Sequence, residues 1–160
     1  MKFSFKFGVG TLFAMSFIGS SQASCVGYAC DGKDPTAEGC SASAITVASS
    51  TAQTPYAGSY APGLQLRLEL RWSPVCKTNW ARLSYVTPPP FPRYDGLSTV
   101  SVYRSNDNRT VAYANPTPYN FNSIYSPMLY GASLCTRADG SSAKYIQGWY
   151  TTTLQTNLVC

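Results

Sequence analysis

Residues 69–82, ELRWSPVCKTNWAR, bring two arginines, a lysine and two indoles into one short segment, and Arg67 lies just upstream. Guanidinium groups clasp carboxylates and phosphates through paired N–H donors. Indoles offer flat apolar faces for stacking and a single polar N–H. Arg67, Arg71, Trp72, Lys77, Trp80 and Arg82 are therefore the candidate ligand contacts, joined by Trp149 in KYIQGWY. A scaffold role accounts for more of the same pattern. Trp72 extends a row of leucines into a core. Glu69 stands between Arg67 and Arg71 on a solvent face, where opposite charges soften each other. Cys76 is a staple in a turn, and Trp80 begins the next strand.

Catalytic chemistry finds few residues to run on. The chain has no histidine, which removes Ser-His-Asp and Cys-His machinery and the usual proton shuttle near neutral pH. Cys25, Cys30, Cys40, Cys76, Cys135 and Cys160 form an even set. In an exported chain such a set reads as three disulfides, with no thiol left as a nucleophile. No CxxC pair occurs, so neither zinc nor another cofactor is expected. Ser141 and Lys144 in SSAK would meet on a helix, but the segment reads as a turn entering a strand. Asp31, Asp34, Glu38, Asp95, Asp107 and Asp139 fall in loops or turns, where Asp is first a turn former. Glu69 alone lies in a strong strand, so the paired acids of a glycosidase are not expected. Asp31 and Asp34 in DGKD lack the rest of a calcium loop. Asn108-Arg109-Thr110 is a glycosylation sequon that matters only in a eukaryotic host. Tyrosines cluster with amides in YNFNSIYSPMLY and KYIQGWY, a composition suited to a glycan surface and equally normal for strands.

The elements that position these residues are strands. In LQLRLELRW, Leu64, Leu66, Leu68, Leu70 and Trp72 share one face, and Gln65, Arg67, Glu69 and Arg71 share the other. Period two over nine residues means a half-buried strand, ended by Ser73-Pro74. NWARLSYV resumes the alternation. SASAITVASSTAQT gives a short strand with Ile45 and Val47 set against Thr46 and Ala48. LSTVSVYR and RTVAYA flank SNDN, a hairpin turn. SIYSPMLY, ASLCTR and AKYIQGWYTTTL are later strands, with ADGSS a turn between the last two. PYAGSYAPG, TPPPFPRYDG and NPTPYNFN are loops, and CVGYACDGKDPTAEGC is a cross-linked loop segment. With no helical period and no repeat, the class is all-β: a small disulfide-stapled sandwich or barrel.

The first residues set the compartment. Lys2 and Lys6, the apolar run Phe7 to Ile18 and the small residues Ser21 and Ala23 read as a signal peptide, expected over residues 1–23. Cleavage after Ala23 leaves one secreted domain over residues 24–160 with no membrane span, and lowers the formal charge from +5 to +3 by removing Lys2 and Lys6. Gln22 is wrong for a lipoprotein box ahead of Cys25. The remaining basic residues form no run, so nucleic acid is not an expected partner. Cys135 with Cys160 flanks one hairpin and is expected to pair. Of the fifteen connectivities that six cysteines allow, Cys30 with Cys40 and Cys25 with Cys76 complete the favoured set. The expected function is non-catalytic binding of an extracytoplasmic glycan, peptide or protein, at the cell envelope or beyond it. The alternatives are a glycan-active or Ser/Lys hydrolase and a secreted inhibitor of a partner protein.

CVGYACDGKDP with its following Cys40, then ELRWSPVCKTNWAR, then YSPM at 125–128 and Cys135 together resemble a family of small secreted bacterial proteins, common in actinobacteria and known only as a domain of unknown function. The resemblance covers most of the chain after the leader and implies secretion and a stapled β fold, with no known activity. That family carries Asp-Ala after its third cysteine, where Ser43-Ala44 stands here, and a shorter proline-rich loop than residues 87–92. In some relatives the domain follows a cytoplasmic helix-turn-helix regulator, which hints at an extracytoplasmic sensor.

Overall fold

A computed structural model describes residues 22–54, 64–86, 95–115, 122–145 and 149–160. Most of the expected signal peptide, residues 1–21, lies outside the described residues. So do most of the three expected loops, residues 55–63, 87–94 and 116–121.

The leucine alternation does what period two requires. β2 (Gln65–Ser73) turns Leu66, Leu68 and Leu70 to one side, all fully buried. β3 (Thr78–Tyr85) pairs antiparallel with it, placing Leu68 opposite Leu83 and Glu69 opposite Arg82. β1 (Ile45–Gln53) and β6 (Ser123–Tyr125) flank this pair, and the short β7 (Leu129–Tyr130) joins β3 beside β6. A second sheet contains β4 (Asp95–Arg104), β5 (Arg109–Ala114), β8 (Thr136–Tyr145) and β9 (Trp149–Gln155), in the order β5-β4-β8-β9. The two sheets face each other. Leu66, Leu68, Leu70, Leu83 and Ile124 of the first meet Leu97, Val100, Val102, Ala138 and Leu154 of the second in one core. The architecture is an all-β sandwich.

A second, smaller core lies on the outer side of the first sheet. Residues 25–44, with 3₁₀ turns at Gly27–Cys30 and Cys40–Ser43, fold over that side as a cap. Cys25, Cys30, Cys40, Cys76, Trp80 and Met128 are buried together beneath it. Trp80 reaches this core because it alternates with Ala81 and Leu83, which face inward.

Cys135 bonds Cys160 as expected, but the other two disulfides join Cys25 to Cys30 and Cys40 to Cys76. The expected Cys25–Cys76 and Cys30–Cys40 pairs are not formed. Gly27, at φ +66°, turns the chain so that the Cα atoms of Cys25 and Cys30 stand 5.4 Å apart, within bridging distance. Cys40 opens the second 3₁₀ turn, which a Ser43 Oγ to Ser73 Oγ hydrogen bond of 2.9 Å holds against the end of β2, close to Cys76.

Other segments also depart from expectation. ADGSS is no turn: β8 runs straight through it. Gly140 sits there because a Cβ would lie 3.0 Å from Leu68 Cδ1 and 3.4 Å from Leu83 Cδ2 of the facing sheet. AKYIQGWYTTTL is divided between β8 and β9, and SIYSPMLY is broken by Ser126-Pro127 into β6 and β7. In ASLCTR the strand begins only at Thr136. β1 has a register irregularity between Thr46 and Ala48, so Ile45 and Val47 are exposed while Ala48 and Ala52 pack on the core.

Candidate functional site

The outer side of the first sheet gathers Arg67, Glu69 and Arg71 from β2 with Trp80 and Arg82 from β3. Contrary to expectation, Glu69 is buried, at 4% exposure. Antiparallel register sets it opposite Arg82, and β1 brings Thr46 opposite Arg71. Glu69 Oε1 accepts a hydrogen bond from Thr46 Oγ1 at 2.7 Å. Its Oε2 takes Arg82 Nε at 2.7 Å and Arg82 Nη2 at 2.6 Å. Arg71 donates to Thr46 Oγ1 at 2.6 Å and to the Ala44 carbonyl at 2.9 Å, and stands 3.8 Å from Glu69 Oε1. Burial pushes the Glu69 carboxyl up. The hydrogen bonds from Thr46 and Arg82, with the charges of Arg82 and Arg71, outweigh it and hold the group below its ordinary 4.5. Burial and then the Arg82 charge lower the Arg71 pKa, with Glu69 opposing. One carboxylate between two guanidiniums leaves one positive charge over.

Arg71, Trp80 and Arg82 line a hollow of about 250 Å³, closed on the cap side by Thr36 and Ser41 and on the other side by Ser123 and Tyr125 of β6. Trp80 is 4% exposed, so only its margin floors the hollow. A second hollow of about 280 Å³ lies beyond β6, lined mainly by Asp34, Tyr113, Ile124 and Pro127. Ser123 and Tyr125 line both, so the two form one groove that meets at Tyr125.

The cap wall of this groove is fixed by the DGKDP motif. Asp31 Oδ1 accepts the Tyr130 N–H at 2.6 Å, and its Oδ2 stands 2.9 Å from Arg104 and 3.3 Å from Arg109. Arg104, 1% exposed, also holds Asp107 through Nε at 2.9 Å and Nη2 at 2.6 Å, and lies over the Tyr28 ring at 5.0 Å. The Arg104 hydrogen bond holds the Asp107 carboxyl down to about 2, and Asp107 with Asp31 holds the guanidinium above its ordinary value despite burial. Asp34 Oδ1 accepts the Thr36 and Ala37 N–H groups at 2.7 and 2.9 Å. In YSPM, Ser126 Oγ accepts the Ala81 N–H at 3.0 Å, Met128 fills the second core, and Tyr125 is left at the surface, 38% exposed.

The structure thus joins Arg71, Trp80 and Arg82 of the expected contacts and separates the others. Arg67 is exposed on the same face, opposite Ser84 and away from the hollow. Lys77 is exposed in the β2–β3 turn at φ +57°. Trp72 follows the leucine side as expected but is only half-buried. It sits opposite Ile45 and Asn79 at the sheet margin, where it lines a small hollow with Val47 and Thr136 instead of entering the core. Trp149 opens β9 opposite Tyr145, and its side chain lies outside the described residues. Ser141 and Lys144 lie in β8, a strand, so the helical spacing of a Ser-Lys pair is not realised. The sulfurs of Cys25, Cys30 and Cys40 lie within 4.8 Å of one another, but each is held in a disulfide. Ser123 and Tyr125 lie in YNFNSIYSPMLY, whose tyrosines and amides suit a glycan surface, although neither is among the expected contacts; Tyr113 carries no such signal.

Among the described residues no helix is long and apolar enough to cross a membrane. No curated protein and no solved structure matches the chain. A family match spans residues 28–139, which include the groove, the DGKDP and YSPM motifs and four of the six cysteines. The chain belongs to the family described as Protein of unknown function (DUF2690).

Proposed function

We propose that this chain is an exported, non-catalytic binding domain whose ligand carries a carboxylate and seats in the groove on either side of Tyr125. The observation that carries this reading is the meeting of the two hollows at Tyr125 beside the surplus positive charge of the Arg71–Glu69–Arg82 group. Arg82 spends Nε and Nη2 on Glu69, and among the described residues Nη1 is left for a ligand; its side chain is 42% exposed. Export is supported by the three disulfides, which persist in oxidising compartments. Binding is favoured over catalysis by the lack of histidine and by the strand placement of Ser141 and Lys144.

The test is retention of the exported protein on insoluble cell-wall polysaccharide and, separately, in stoichiometric complexes with secreted proteins. Arg82→Gln should abolish whichever association is found, and Arg67→Gln should leave it intact. Equal retention of both variants would contradict the reading.

A further inference from the structure

Among the described residues β6 pairs along one edge only. Tyr85 N–H donates to the Asn122 carbonyl at 3.2 Å and Ser126 N–H donates to the Ala81 carbonyl at 2.9 Å, with Ile124 opposite Leu83 between them. In an antiparallel ladder alternate residues turn their N–H and C=O groups to the same side. Residues 122, 124 and 126 therefore face β3, while Ser123 and Tyr125 turn theirs outward along the groove. Among the described residues no hydrogen bond meets these outward groups. The cap takes the same edge further along: Gly32 N–H donates to the Met128 carbonyl at 2.8 Å, and Met128 N–H donates to the Lys33 carbonyl at 2.9 Å. The cap then leaves the edge at the Asp34 turn, and the open stretch is Ser123–Tyr125.

We propose that an extended peptide adds to this edge as a short strand, pairing with Ser123 and Tyr125 and carrying an acidic side chain directly beside an apolar one. The proposal rests on the groove being the contact site. Successive side chains of a strand point to opposite faces. On one face of the added strand lies the hollow of Arg71 and Arg82, with its surplus positive charge. On the other lies the hollow of Tyr113, Ile124 and Pro127. Main-chain hydrogen bonds supply the affinity in this mode, and the alternate pockets supply the choice of sequence. A glycan has no backbone that matches the spacing of the outward N–H and C=O groups.

Selection of short random linear peptides on the folded chain, followed by amide NMR titration with the best synthetic peptide, tests the proposal. Selected sequences should set Asp or Glu next to an aliphatic or aromatic residue, and the amides of Ser123 and Tyr125 should shift on binding. Ser123→Pro removes one outward N–H and spares the β3 ladder, a change that an edge strand accommodates. It should weaken the peptide about tenfold or more, while Ser123→Ala stays within about twofold. Undiminished binding by a folded Ser123→Pro chain would overturn strand addition. Should that variant unfold, peptides N-methylated at single positions replace it: losses at alternate positions support the proposal, and uniform tolerance overturns it. If soluble cell-wall glycan fragments shift the groove amides and no peptide does, the groove stands as a contact site and the peptide falls. If neither probe shifts them, both fall.

Discussion

Arg104 holds two carboxylates at once, one from the cap and one from its own hairpin. Removing one partner of a buried pair leaves the other charge uncompensated. Arg104→Met should therefore destabilise the fold by roughly 3–5 kcal/mol in denaturant unfolding, and adding Asp31→Asn should recover part of that loss. The acids also set a pH dependence. Glu69 and Asp107 both have folded pKa values below their unfolded ones, 4.5 and 3.8. Such a group stabilises fully above its unfolded pKa, and the contribution is lost as pH falls through the folded value. Stability measured by denaturant midpoint should hold steady down to about pH 4.5 and then fall toward pH 2. Arg82→Gln should reduce the Glu69 part of that fall. The strand LSTVSVYR was legible, and its alternation puts Arg104 in line with Val100 and Val102, but the burial of that arginine was not read from it, and Asp31 arrives from a cap with no period to read.

β2 and β3 were legible because alternation is a local property, and their register delivered Glu69 to Arg82. β8 was misread because Asp-Gly-Ser has the composition of a turn, whereas Gly140 answers to Leu68 and Leu83 on the facing sheet. Gly140→Ala should cost about 1–3 kcal/mol through overpacking, read in thermal or denaturant unfolding. A true turn glycine free of the core would show far less. The disulfides follow the same division. Cys135–Cys160 encloses a local hairpin and was readable; the N-terminal pairing depends on how the cap curls. Cys40–Cys76 closes a separation of 36 residues and Cys25–Cys30 only 5. On chain-entropy grounds, losing the first should cost about 4 kcal/mol and losing the second about 2 kcal/mol. Double Cys→Ser variants compared by denaturant midpoint check that order.

The molecule is a sandwich with a third layer: the cap, the first sheet and the second sheet. A disulfide and a buried ion pair stand out among the contacts that hold the cap. Cys40–Cys76 ties it to the β2–β3 turn, and Asp31 with Arg104 ties it to the second sheet beyond the end of the first. The groove is the gap that remains between the cap and β6. Composition was enough to foresee a stapled β domain. The groove was out of reach, because its walls come from the cap, β2, β3, β5 and β6, segments far apart in the chain. Arg71 and Arg82 were singled out as cations from the sequence, but the placing of Glu69 between them and of Tyr125 opposite Arg82 emerges only from the assembled sheet. Tyr125 gives the cleanest separation of scaffold from site, because it is exposed and its side chain makes no hydrogen bond among the described residues. The decisive measurement is the thermal melt of Tyr125→Ala together with its binding to the material the wild-type protein retains. The groove account predicts stability within about 0.5 kcal/mol of wild type and a loss of binding of tenfold or more, about 1.4 kcal/mol or above. Wild-type binding by a chain of wild-type stability would contradict it.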